Sequence, residues 1–128
     1  MKTAKDYLEE ANAAVSRVEA AEAVSQFGAP NTVFLDVRDS GAIAGTGTIE
    51  GAVQVPRGML EFAADENTDF HNAALTKDAN IMVVCAAGGQ AALAGKTLKD
   101  MGYTSVTNIG GFGAWKDAGG PTEGTPDA

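Results

Sequence analysis

Ile81-Met82-Val83-Val84-Cys85-Ala86-Ala87-Gly88-Gly89, residues 81–89, decides the fold. Its first part is a continuous apolar run of strand length. A run without alternation marks a strand covered on both faces, as strands of a parallel sheet are. Two glycines then let the chain turn sharply. From Gln90 to Met101 the residues Leu93, Thr97, Leu98 and Met101 fall on one side of a helix, with Gly102 as its stop. Strand, glycine turn and helix in succession form half of a βαβ unit.

Upstream, Thr32-Val33-Phe34-Leu35-Asp36-Val37 repeats the pattern, apolar in its middle and polar at its far end. Ala52-Val53-Gln54-Val55 is a short strand closed by Pro56, and Arg57–Ala64 a short helix. Between them Ser40–Gly51, with glycines at 41, 45, 47 and 51, reads as a loop. Downstream, Val106-Thr107-Asn108-Ile109 is the last strand, and Gly110-Gly111 leads into a short helix holding Ala114 and Trp115. At the front, Leu8, Ala11, Val15 and Val18 recur at helical spacing, so residues 1–14 form an added helix. Val15-Ser16-Arg17-Val18 is an alternative small edge strand, and Glu19–Phe27 is a helix that Gly28 ends. The Gly/Pro/Thr-rich tail beyond Gly119 is expected to fray. Strands alternating with helices predict an α/β fold around a mainly parallel sheet, with one domain over 15–121 and a flexible tail over 122–128.

Composition narrows the function. The chain has 128 residues, 45 % of them hydrophobic, with 9 Lys+Arg against 17 Asp+Glu, a net charge of −8. That excess of acid, with no basic tract, argues against a nucleic-acid partner. The apolar run at 81–87 is too short to span a bilayer, which needs about 18 residues. Met1–Glu10 is charged and lacks the apolar core of a secretion signal. A single cysteine and a single histidine, Cys85 and His71, argue against a disulfide scaffold and a structural zinc site. A cytoplasmic, single-domain protein that binds neither membrane nor nucleic acid is the expectation.

In open parallel sheets, ligands bind beyond the carboxyl ends of the strands. Three such ends carry polar or reactive groups: Asp36-Val37-Arg38-Asp39, Pro56-Arg57 and Cys85. After Cys85 the small residues Ala86, Ala87, Gly88 and Gly89 let backbone N–H groups point inward, and the helix beginning near Gln90 adds partial positive charge. Such a cradle stabilises a thiolate, a persulfide or a bound oxyanion. The alternative is an inert core thiol.

Four strings in register resemble a known family: Leu35-Asp36-Val37-Arg38-Asp39, Gly51-Ala52-Val53-Gln54-Val55-Pro56-Arg57-Gly58, Val83-Val84-Cys85-Ala86-Ala87-Gly88 and Gly110-Gly111-Phe112-Gly113-Ala114-Trp115. Together they look like the successive signatures of a single-domain rhodanese. The resemblance implies a sheet of about five strands with helices on both faces. It also implies sulfurtransferase chemistry without metal or organic cofactor, Cys85 being the sulfur carrier. The donor would be thiosulfate or a persulfide and the acceptor a thiol or cyanide, with the N–H groups of Ala86, Ala87, Gly88, Gly89 and Gln90 holding the anion. Any protein partner is left open. By the same resemblance, Asp36 and Arg38 support the active-site loop.

Departures from the family pattern keep two alternatives in view. Many rhodaneses have arginine where this chain has Gln90, and an amide supplies no charge to an anionic donor. Gly47-Thr48-Ile49-Glu50-Gly51-Ala52 also lacks the family's usual His and Pro. Arg57 is a candidate replacement for the missing charge, set against a plain surface arginine. A non-catalytic rhodanese-fold binding module is therefore one alternative. A cysteine-dependent phosphatase or arsenate reductase is the other, although neither Gln90 nor Ala91 supplies the arginine that grips an oxyanion. No spacing places His71 beside Cys85. Gly45-Thr46-Gly47 reads as a plain loop, and Phe112 and Trp115 as core.

Overall fold

The computed structural model describes residues 1–125. In chain order the elements are α1 (Ala4–Ala14), β1 (Ser16–Arg17), α2 (Ala20–Ser25), β2 (Thr32–Asp36), α3 (Ser40–Thr46), β3 (Thr48–Ile49), β4 (Val53–Gln54), a 3-10 turn (Arg57–Met59), α4 (Leu60–Ala64), β5 (Asn80–Cys85), α5 (Gly89–Asp100), β6 (Ser105–Gly111), α6 (Phe112–Asp117) and β7 (Thr122–Glu123). Five strands form one parallel sheet in the order β1-β6-β5-β2-β4. The apolar β5 lies at its centre, flanked by β2 and β6.

Alternate residues of the central strands supply two cores. Leu35, Val37, Ile81, Val83, Cys85 and Val106 face one side and pack with Leu60, Leu75, Ala94 and Leu98 beneath α1, α4 and α5. Phe34, Met82, Val84 and Ile109 face the other and meet Ala23, Phe112 and Trp115 of α2 and α6. Phe34 and Trp115 have ring centroids 5.0 Å apart, and the second core is the more aromatic of the two. Phe112 and Trp115 are thus core residues, as their sequence setting suggests.

The added front helix is fixed by a capping box. The Thr3 hydroxyl accepts from the Asp6 amide at 3.2 Å, and the Asp6 carboxylate accepts from the Thr3 amide at 2.9 Å. Helix α1 lies against α5 and buries Ala11. Ser16–Arg17 pairs with Thr107–Asn108, so the edge-strand alternative at the front of the chain is realised.

Two stretches differ from the sequence reading. Ser40–Gly51 is not a loop throughout, since Ser40–Thr46 is helical. The Asp39 carboxylate accepts from the Ala42 amide at 2.9 Å, and this N-cap starts the helix despite the glycines. The tail does not fray at Gly119. Thr122–Glu123 pairs antiparallel with Thr48–Ile49, and the Glu123 carboxylate accepts from the Gly51 amide at 2.6 Å. Of the tail expected over 122–128, residues 126–128 lie outside the described residues.

Candidate active site

The turn from β5 to α5 is shaped by an irregularity in the sheet. Val83 pairs with Asn108, but two residues later Cys85 meets Gly111, with a register shift between them. A Cβ at Gly111 would overlap the Ala86 carbonyl oxygen, so only glycine lets β6 pass this closely beneath the turn. Gly88 adopts φ +101°, and this left-handed residue bends the chain back over the sulfur before α5 begins.

Cys85 faces the α5 side and is only 1 % exposed, among aliphatic residues. Its sulfur is nevertheless not in an apolar setting. The Gly88 amide donates to Sγ at 3.0 Å and the Ala91 amide at 3.3 Å. Both groups belong to the turn and the first turn of α5, where amides lack partners within the helix. The sulfur therefore accepts two N–H bonds at the positive end of a 12-residue helix. Ala86, Ala87, Gly89 and Gln90 are exposed, so the sulfur lies directly under a surface turn. Of the residues expected to aim amides at the anion, Gly88 donates to the sulfur. The second donor, Ala91, lies one position past the expected set.

Asn108 holds this turn in place. It is 1 % exposed, and its Nδ2 donates to the Gly88 carbonyl at 2.9 Å while its Oδ1 accepts from the Gly110 amide at 2.8 Å. Sequence reasoning passed over this residue. The signal was present, because an asparagine inside an apolar strand must find partners when buried.

The turn after β2 is built from charge. Asp36 and Arg38 are 0 % and 6 % exposed. Arg38 donates from Nη2 to the Asp36 carboxylate at 2.8 Å, from Nη2 to the Gly47 carbonyl at 2.9 Å and from Nη1 to the Thr46 hydroxyl at 2.8 Å. The Thr48 hydroxyl donates to Asp36 at 2.8 Å, and the guanidinium lies 4.7 Å from the centre of the Phe112 ring. This network ties β2 to the C-terminal end of α3, to β3 and to α6. Val37 in turn donates its amide to the Val84 carbonyl, so the strand leading to Cys85 is braced from this side.

Arg57 is engaged elsewhere. It donates to Glu61 and to Thr97, both at 2.9 Å, and lines a groove between α1 and α5 with Tyr7, Leu8, Gly89 and Leu93. Burial pushes the Glu61 carboxyl up, but its own backbone amide and Arg57 outweigh that and hold it below the usual carboxylate range. The His71 ring lies 3.3 Å from the Leu75 carbonyl and forms no hydrogen bond with Cys85 among the described residues. Thr46 and Gly47 serve the Arg38 network. Gln90 forms no side-chain hydrogen bond among the described residues.

A parallel sheet whose central strand delivers a cysteine into an amide-lined turn defines a class of strand-end cysteine proteins. The chain belongs to the rhodanese-like domain family, whose sequence profile matches residues 19–118. A curated relative, the mitochondrial protein HIGH ARSENIC CONTENT 1 of Arabidopsis thaliana, is 36 % identical over 94 residues, covering 67 % of this chain and 53 % of the relative. The chain thus spans about half the length of that relative. Among solved structures, a Rhodopseudomonas palustris protein of unknown function, described as a possible tyrosine phosphatase, matches with a TM-score of 0.90 at 40 % identity over 96 % of both chains. The homodimeric polysulfide-sulfur transferase of Wolinella succinogenes matches with a TM-score of 0.73 at 26 % identity over 92 % of this chain and 85 % of that one. Among the described residues no helix is long and apolar enough to cross a membrane.

Proposed function

We propose that the protein is a sulfurtransferase that carries a sulfane sulfur as a persulfide on Cys85. The Cys85 thiolate attacks the outer sulfur of thiosulfate, forming an S–S bond as the bond to the departing sulfite breaks. With a polysulfide the leaving group is the shortened chain. A thiol or cyanide then attacks the terminal sulfur of the persulfide, which restores the thiolate and leaves as a new persulfide or as thiocyanate. Each transfer moves the negative charge from Sγ to the outer sulfur and back, so the Gly88 and Ala91 amides hold the thiolate and the other amides of the turn from Ala86 to Gln90 are the donors left for the outer sulfur of the persulfide. A cysteine that must stay reduced to act suits the cytoplasm.

The observation that carries this reading is the pair of N–H bonds from Gly88 and Ala91 to Sγ. A core thiol without a task needs no such bonds. The polysulfide-sulfur transferase neighbour supports the same chemistry. Phosphate or arsenate chemistry draws support from the printed descriptions of two relatives. It requires a cation within the loop, however, and Ala86–Ala92 contains none.

Cyanide-dependent thiocyanate formation, with thiosulfate and with polysulfide as donors, tests the proposal. The expected result is turnover with at least one donor and none in Cys85→Ser. Absence of turnover with both donors would make the domain a binding module. Hydrolysis of p-nitrophenyl phosphate lost in the same variant would favour the phosphatase reading.

A further inference from the structure

The Cys85 turn carries no charge of its own, yet a cation lies against it. Arg17 sits on the edge strand β1, in register with Asn108, which anchors the Gly88 carbonyl. Its guanidinium occupies the space above two glycines. A Cβ at Gly88 would come within 2.7 Å of Nη1, and one at Gly110 within 3.3 Å of Nη2. The Gly88 amide is itself 3.0 Å from the Cys85 sulfur. With an N to Cβ distance of about 2.5 Å, Nη1 therefore lies no farther than about 8 Å from that sulfur.

The other cations near the site differ from Arg17. Arg38 is paired with Asp36, and Arg57 with Glu61. Lys116 is in no ion pair among the described residues, but it lines a depression with Ala86, Arg38 and Phe112, and the atoms nearest the space above Gly88 and Gly110 are those of Arg17. Among the described residues no carboxylate lies within ion-pair distance of Arg17, and the residue is exposed. An unpaired cation within a Debye length of the sulfur acts on any anion that approaches it. In a chain of net charge −8 that local field counters the overall repulsion.

We propose that Arg17 is the specificity-determining cation of the Cys85 site, favouring anionic donors in place of the charge that the turn lacks at Gln90. The inference rests on the sulfur-transfer reading for its biological meaning, but its physical content is separable. Iodoacetate and iodoacetamide both alkylate a thiolate by displacing iodide, and they differ in charge. The ratio of their rates at Cys85 therefore reports the local field and cancels changes in the thiolate fraction.

At low salt this ratio is expected to fall about threefold in Arg17→Gln, the effect of one charge about 8 Å away in a largely aqueous setting. Arg17→Lys should restore most of it, and Arg57→Gln and Lys116→Gln should leave it unchanged. An unchanged ratio in Arg17→Gln, or a fall in Lys116→Gln alone, overturns the assignment. So does failure of both reagents to alkylate the folded wild type, because an anion that never reaches the sulfur is not selected there. A shifted ratio without thiocyanate formation upholds the cation and removes the transferase; thiocyanate formation with an unshifted ratio does the reverse.

Discussion

Two turns leave the carboxyl edge of the same sheet from adjacent strands, and they are built in opposite ways. The turn after β2 buries a full ion pair, Asp36 with Arg38, whose polar groups reach Thr46, Gly47 and Thr48. The turn after β5 has only small or neutral side chains from Ala86 to Ala91, and its polar groups are backbone amides. A buried charge needs saturation by fixed partners, and once saturated it has nothing left to offer a substrate. Amides at a helix start are the opposite case. They have no partners within the helix, so they remain free to meet a charge that comes and goes. One turn holds the shape, and the other keeps its capacity for chemistry.

Removing Arg38 breaks the comparison hardest. Arg38→Ala leaves Asp36 buried and unpaired, and a loss of about 3–5 kcal/mol in unfolding free energy is expected. Chemical denaturation measures it, and the folded fraction should still accept sulfur on Cys85. A folded but sulfur-inert variant would show that the charged turn takes part in the chemistry.

Asn108→Ala probes the other turn and should cost less. It frees the Gly110 amide and leaves the Gly88 carbonyl with the Ala92 amide as its remaining donor, for a loss of about 1–3 kcal/mol. Its distinguishing effect is on rate, because the Gly88 amide is one of two donors to the sulfur. Sulfur uptake per folded molecule should slow in Asn108→Ala and not in Arg38→Ala. The reverse order would contradict the division of labour.

The smallest expected effect is a gain. Gln90→Arg adds a charge at an exposed position on the turn without disturbing a hydrogen bond seen among the described residues. Steady-state kinetics should show a KM for thiosulfate lowered a few-fold, with stability unchanged within about 0.5 kcal/mol. No change in KM would mean that the charge near the sulfur already suffices.

How much of this was legible in the sequence follows the same division. Apolar runs such as Ile81–Val84 announce buried strands by themselves, and Cys85 followed by small residues announces a turn at a strand end. The resemblance of four strings to one family then gave the architecture and pointed to Cys85 as the candidate sulfur carrier. What escaped depended on partners distant in the chain. Ser40–Thr46 hid behind its glycines because a single cap at Asp39 outweighs them. Thr122–Glu123 carries no strand pattern of its own and is ordered only by pairing with Thr48–Ile49. Arg57 follows a strand-ending proline and attracted attention, whereas Arg17 lies far from Cys85 in sequence and meets its turn only through the pairing of β1 with β6.

Sulfur transfer by this protein requires that the buried Cys85 sulfur, held by two amides, receive and hold a sulfur atom. Intact-protein mass spectrometry after incubation with thiosulfate or polysulfide, with the site located by peptide mapping, tests it most directly. The expected result is a gain of one sulfur atom on Cys85, reversed by cyanide and absent from Cys85→Ser. A folded protein whose mass stays unchanged with both donors would contradict it.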